Sequence, residues 1–181
     1  MKVYTRTGDD GTTGLYFGGR VRKDHPQPRA FGAVDEAQAA LGVVRAFSTS
    51  PVLAELMIEI ERDLYIAMAE LATLPDNRHK LSPGVSAVTA AMVSRLEQQI
   101  DRYAALFDPP DEFVIPGGHP VAALLDVART AMRRAEREAL AVAAPGSEVV
   151  RYLNRLSDLL WVLARWQEGK SVPAKETEER T

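Results

Sequence analysis

After Pro28 the apolar residues of this chain recur every three or four positions, in five successive runs separated by proline or glycine. That spacing limits the fold more than any other feature, because a helix of about 3.6 residues per turn gathers such positions into one stripe. Phe31, Val34, Ala37, Leu41 and Val44 make the first stripe, and Leu53, Leu56, Ile60, Leu64, Ala67 and Leu71 the second. The polar run Pro75-Asp76-Asn77-Arg78-His79-Lys80 ends the second helix. Ser82-Pro83 then reads as the next start, with a serine cap and proline at the first helical position. The third stripe is Val85, Val88, Met92, Leu96, Ile100, Tyr103 and Phe107, stopped by Pro109-Pro110. A fourth helix is expected from about Pro120 to Ala143. A fifth is expected from a Ser147 cap through Val149, Leu153, Leu156, Leu160 and Leu163 to near Gly169. No run alternates convincingly as a strand. Five amphipathic helices with short connections bury their stripes most simply as one all-α, five-helix bundle.

The remaining zones differ in composition. Residues 1–29 are rich in Gly, Thr and Asp and read as a loop segment, because glycine admits positive φ and Thr and Asp bond to nearby backbone. Residues 30–169 hold the bundle, and the charged stretch 170–181 reads as a mobile tail whose one notable apolar residue is Val172. The 181 residues suit one domain, and a 46% hydrophobic fraction supports a real core. A net charge of −3 argues against a general nucleic-acid or membrane-surface binder. The absence of cysteine removes disulfides, thiolate metal sites and cysteine nucleophiles, and the three histidines, His25, His79 and His119, form no metal-spacing motif. With no membrane span and no signal-peptide pattern, the expectation is a soluble, cytoplasmic protein.

Charge is unusual in the fourth helix. Arg129, Arg133 and Arg137 fall four residues apart on one face, where like charges repel by a few tenths of a kcal/mol per pair. One reading is a solvated face compensated by local pairs: Asp126 with Arg129, Arg133 with Glu136, Arg134 with Glu138. The other is a row of guanidinium groups matched to a polyanion. The segment Thr5-Arg6-Thr7-Gly8-Asp9-Asp10-Gly11-Thr12-Thr13 adds hydroxyls, backbone N–H groups and small residues that admit a phosphate. It is no Walker A loop, and a calcium loop from Asp9 would need an acid where Arg20 stands. Loop, Lys23 and arginine helix together point to a nucleoside triphosphate. Asn154 and Asp158, four apart in the fifth helix, fit either an interhelix polar contact or a nucleotide contact. Asp35-Glu36 favours the start of the first helix electrostatically. For Phe113, a lone aromatic in Asp111-Glu112-Phe113-Val114-Ile115, the usual explanation is a packed loop anchor.

Five stretches carry a family likeness: Tyr4 to Thr13, Gly32-Ala33-Val34-Asp35-Glu36, Phe113-Val114-Ile115-Pro116-Gly117-Gly118, Ala128-Arg129-Thr130 with Arg133-Arg134-Ala135-Glu136-Arg137, and Tyr152 to Leu160. In this order and spacing the chain resembles the PduO-type ATP:cob(I)alamin adenosyltransferases over nearly its whole length. The resemblance implies a five-helix bundle with an N-terminal nucleotide-binding loop, assembled as a homotrimer with intersubunit active sites. It implies transfer of the 5′-deoxyadenosyl group of ATP to the cobalt of reduced cobalamin, with release of triphosphate.

By the same resemblance, Thr5, Arg6, Thr7, Gly8, Thr13 and Lys23 would hold ATP phosphates. Arg133, Arg134, Glu136 and Arg137 would complete that site, and Asn154 would touch the nucleotide. Mg²⁺ would be bound mainly through the phosphates. Asp35 and Arg129 would pair across the subunit interface beside the reacting centre. Phe113 would sit under the corrin ring, with Asp158 also on the corrinoid side. A reductase for Co(II) and a recipient enzyme for the product are the implied partners. Three positions depart from the family pattern: His119 after Gly117-Gly118, His25 after Lys23-Asp24, and Gln38. Two other classes share parts of these features. A phosphoryl-transfer or hydrolysing enzyme would use the same loop and arginines, and a helical carrier would need only the bundle.

Overall fold

The computed structural model of the chain describes residues 4–175. Five α-helices carry the described residues: α1 (Pro26–Phe47), α2 (Pro51–Leu71), α3 (Ala90–Ala104), α4 (Pro120–Ala139) and α5 (Val149–Glu168). Two small antiparallel pairs accompany them, β1 (Thr12–Gly14) with β2 (Arg20–Arg22), and β3 (Val114–Ile115) with β4 (Val172–Pro173). The stripes read from the sequence are the core. Leu41, Leu64, Leu125, Met132, Leu153 and Leu160 are fully buried, and each comes from the apolar side of its helix. Neighbours pack in the order α2, α1, α4, α5, α3. Tyr152 of α5 donates to Asp63 of α2 at 3.1 Å, and Arg95 of α3 pairs with the same carboxylate at 3.0 Å. Burial first, and then the Asp63 charge, raise the Tyr152 phenol well above its ordinary 10.0.

The helix starts are set by side-chain acceptors, and two of these are histidines. His25 Nδ1 accepts from Gln27 N at 3.4 Å ahead of α1, and His119 Nδ1 accepts from Val121 N at 3.2 Å ahead of α4. Proline follows each cap, where its missing N–H costs nothing. Two of the three departures from the family pattern, His25 and His119, are thus helix caps here.

Several boundaries differ from the sequence reading. Ser82-Pro83 does not start α3. Ser82 N donates to Ser86 Oγ at 2.9 Å and Gly84 takes φ 74°, which closes a turn. Thr89 caps α3 instead, accepting from Met92 N at 3.3 Å. The polar break Pro75–Lys80 is a short 3₁₀ helix, and α4 ends at Ala139, four residues before the expected Ala143. Ser147 does accept the first N–H of α5, at 3.1 Å from Val149. The N-terminal zone contains the β1–β2 hairpin where only loop was read. The charged end, read as a mobile tail from Lys170, is pinned over its first residues by β4; residues 176–181 lie outside the described residues.

Helices α1 and α4 run antiparallel: Arg29 pairs with Glu138 at 3.1 Å, and Arg134 pairs with Glu36 one helical stretch further on. The bundle therefore has two distinct ends. One gathers the β1–β2 hairpin, the start of α1, the end of α4 and the start of α5. The other gathers the 109–119 loop, β4, the start of α4 and the end of α5.

Candidate active site

At the hairpin end, residues 7–11 fold back on the β1–β2 pair. Asp10 accepts from both the N–H and the hydroxyl of Thr12, at 2.9 and 2.7 Å. Those two bonds, the hydroxyl first, hold its carboxyl below the ordinary 3.8. Lys23 N donates to Gly11 O at 2.9 Å, so the chain after β2 returns to the loop. Gly8 is needed there for space. A Cβ on it would lie 3.1 Å from Thr12 O and 3.3 Å from Lys23 Nζ. The Lys23 ammonium is thus already beside the loop's backbone. Tyr16 N donates to Ala72 O at 3.0 Å and anchors the hairpin to the end of α2.

The arginine row of α4 faces two environments. Arg129 is half-buried and donates through Nε to Asp126 at 2.9 Å. Arg133 and Arg137 are exposed, and their side chains make no ion pair or hydrogen bond with any described residue. The compensation expected from the sequence fails for most of the row. Glu138 serves Arg29 and not Arg134, and Arg134 reaches Glu36 instead of Glu138. Glu136 accepts from Asn154 Nδ2 at 3.0 Å and not from Arg133. Two cations one turn apart, uncompensated on a solvent-facing stripe, repel each other and favour a bound anion.

At the far end lies an open pocket of about 830 Å³. The 110–116 loop, Trp161 and the charged trio Asp126, Arg129 and Arg165 line it. Arg165 is 2% exposed and donates to Asp126 Oδ2 at 2.6 Å, so one buried carboxylate is shared between two guanidinium groups. Phe113 lines the same pocket with 89% of its surface exposed. That exposure overturns the packed-anchor explanation: the ring supports nothing in the fold and is displayed toward the pocket and solvent.

Residues 3–167 match the family model described as cobalamin adenosyltransferase. The chain belongs to the cobalamin adenosyltransferase family. A corrinoid adenosyltransferase of Mycobacterium tuberculosis is 42% identical over 170 residues, spanning 91% of this chain and 87% of that protein. The corrinoid adenosyltransferase PduO of Salmonella typhimurium is 38% identical over 93% of this chain; the match spans 50% of that longer protein. Among solved structures, a variant PduO-type ATP:corrinoid adenosyltransferase from Lactobacillus reuteri, complexed with cobalamin and ATP, superposes with a TM-score of 0.87. It is 29% identical and covers 97% of this chain and 100% of that one.

For a cobalamin adenosyltransferase, most of the expected site residues fall into two groups, and Asp35 and Asp158 stand outside both. Thr5, Arg6, Thr7, Gly8, Thr13 and Lys23 share the hairpin segment, and Arg134, Glu136, Arg137 and Asn154 share the adjoining ends of α4 and α5. Phe113 and Arg129 share the pocket. Asp35 is exposed on α1 and does not pair with Arg129 inside one chain. Asp158 is exposed and lies 3.5 Å from Arg155. Asn154 makes the interhelix contact that was one of its two readings. The sequence reading missed Arg165 and Trp161 as pocket residues. For Arg165 the signal was weak: a charge within the last turns of an otherwise apolar stripe.

Proposed function

We propose that this chain transfers the 5′-deoxyadenosyl group of ATP to the cobalt of reduced cobalamin, forming adenosylcobalamin and triphosphate. The observation that carries the reading is the pairing of two unlike sites on one helix. Arg133 and Arg137 are cations with no partner among the described residues, toward the end of α4 that shares the hairpin's end of the bundle, and Arg129, one turn earlier, borders a pocket that displays an exposed aromatic ring.

The chemistry asks little else of the protein. The Co(I) centre of the substrate is itself the nucleophile at C5′, and triphosphate leaves with its charge growing. What the chain supplies is orientation and charge stabilisation. Lys23, Arg133 and Arg137 would receive the phosphates with Thr5, Arg6, Thr7, Gly8 and Thr13, and Mg²⁺ would arrive with ATP, held mainly through its phosphates. Arg134 and Glu136 shape this end through Glu36 and Asn154. Phe113 would lie against the lower face of the corrin, with Asp158 on the same side, and crowd out an axial donor, which eases reduction of Co(II). A histidine could not clear that face without replacing the donor. His119 is bound as a helix cap, which suits this reading.

The exposed Asp35 fits a pairing with Arg129 of a neighbouring copy, and so a homotrimer with intersubunit sites. Arg129 is pre-set for it, since Asp126 holds only its Nε. A reductase supplying Co(I) and an enzyme receiving the product complete the proposed sequence. Among the described residues no helix is long and apolar enough to cross a membrane.

The test is incubation with ATP, Mg²⁺ and chemically reduced cobalamin, following the corrin absorption and assaying the released phosphates. Adenosylcobalamin with one triphosphate per turnover is expected. Release of inorganic phosphate or diphosphate without a change in the corrin spectrum would support a phosphoryl-transfer enzyme instead.

A further inference from the structure

The loop that displays Phe113 has little to hold it. Residues 109–118 contain four of the chain's prolines and glycines in exposed positions, and the Phe113 ring itself is not packed. Its fixed points come from one place, the last turn of α5 and the strand after it. Ala174 N donates to Phe113 O at 2.7 Å, and Ile115 and Val114 pair with Val172 and Pro173. At the loop's other end, Gly118 N donates to Glu168 Oε1 at 3.0 Å.

Glu168 is the centre of this arrangement. Its side chain is 1% exposed. Oε2 accepts from Ser171 Oγ at 2.9 Å, ahead of β4, and lies 3.2 Å from Arg165 Nε. The Arg165 N–H is not aimed along that line, so the contact is an ion pair without a formed hydrogen bond. Arg165 continues to Asp126 and Arg129 at the pocket. A buried carboxylate therefore joins the pocket's charged wall to the loop and to the strand that grips the loop. The two adjacent glycines have separate reasons. Gly117 takes φ 118°, which a side chain disfavours. At Gly118 a Cβ would meet Glu168 Oε1 at 2.9 Å and Cγ at 3.1 Å, so a side chain there would have to push the carboxylate out of its present position.

We propose that Glu168 is a positioning residue for the corrinoid substrate, its buried carboxylate locking the Phe113 loop and the C-terminal strand against the pocket. The inference rests on the corrinoid reading of that pocket.

The test uses the full chain with Mg-ATP and pre-formed cob(I)alamin. Glu168→Ala and Gly118→Ala are each expected to raise KM for cob(I)alamin about tenfold while KM for ATP stays unchanged, because the phosphate end shares none of these contacts. The double variant should lose little more than either single one, as for residues acting through one contact. Ala174→Pro removes the donor to Phe113 O away from the buried cluster, and carries the same expectation if Glu168→Ala fails to fold. Co(II) cobalamin with Mg-ATP should also show less of its four-coordinate spectrum with each variant. A cobalamin KM equal to that of the unsubstituted protein, or equal rises for both substrates, overturns the proposal alone. An unsubstituted protein that makes no adenosylcobalamin overturns the parent reading, and this one with it.

Discussion

At the pocket end of the bundle, Asp126, Arg165 and Glu168 are buried, with Arg165 paired to both carboxylates. Toward the hairpin end, the Lys23, Arg133 and Arg137 side chains stand exposed with no ion pair or hydrogen bond among the described residues. The contrast follows from what each end has to do. Buried charges cost several kcal/mol of desolvation each and persist only when closely paired, which makes the wall they form rigid. Exposed like charges cost only tenths of a kcal/mol and leave their strongest interaction unmade until an anion arrives. One end is thus preformed, and the other is left open to an anion.

The comparison can be broken first at Asp126. Asp126→Ala leaves Arg165 buried with Glu168 as its one remaining acid, and should cost about 3 kcal/mol, the low end of what breaking a buried pair costs. Thermal unfolding should show a fall of about 6–12 °C for a chain of this size. If the melting temperature is unchanged, the pocket wall is not the rigid element described. Arg133→Ala should show the reverse pattern. Loss of a charged hydrogen-bond donor to substrate costs about 1.5–3 kcal/mol, so kcat/KM for ATP should fall roughly 10- to 100-fold. The melting temperature should hold or rise slightly, since a repulsion is removed. A parallel loss of stability would mean that the arginine row is structural.

Phe113→Ala sharpens the contrast within the pocket end itself. An 89% exposed ring contributes little to stability, so unfolding should be unchanged. Turnover starting from Co(II) should drop by about tenfold or more, the equivalent of about 1.4 kcal/mol. Turnover from pre-formed Co(I) should survive better, and KM for ATP should not move. Equal rates from both cobalt states would reduce Phe113 to surface decoration. The smallest effect belongs to Asp10. Its folded pKa lies below 3.8, so its tie to Thr12 is intact above the unfolded value and is lost as pH falls through the lower folded one. The Thr12 amide resonance should follow that titration, and Asp10→Asn should abolish it without changing global unfolding. A midpoint above 3.8 would contradict the bonding described for the loop.

The helices were legible because burial itself wrote their spacing. Leu41, Leu64 and Leu160 lie at positions that period alone selects. The start of α3 was not legible. Ser82-Pro83 has the chemistry of a helix start, but the Ser86 hydroxyl, four residues on, accepts the Ser82 N–H and closes a turn instead, a competing partner that the helix-start signal does not reveal. The β3–β4 pair was hidden for a related reason. Two residues on each side give no alternation, and their partnership spans the whole of α4 and α5. The hairpin-end residues were singled out by composition and by the family likeness, and their role in binding phosphate is the proposal that Arg133→Ala tests. Arg165 and Glu168 were not, because a charge that ends an apolar stripe looks like the point where the stripe meets solvent.

Helix α4 carries Arg129 at the pocket and Arg133 and Arg137 toward the hairpin. A helix advances about 1.5 Å per residue and turns about 100° with it. The separation of the two sites is therefore counted out in whole turns of one stiff rod, about 6 Å for each step along the row. Loops at either end could lengthen or shorten and be absorbed locally. A single residue inserted between Arg129 and Arg133 could not, because it would swing the later arginines a quarter-turn away from the face they share. Variation in length should therefore be confined to the connections, with α4 acting as the gauge against which both ends are set.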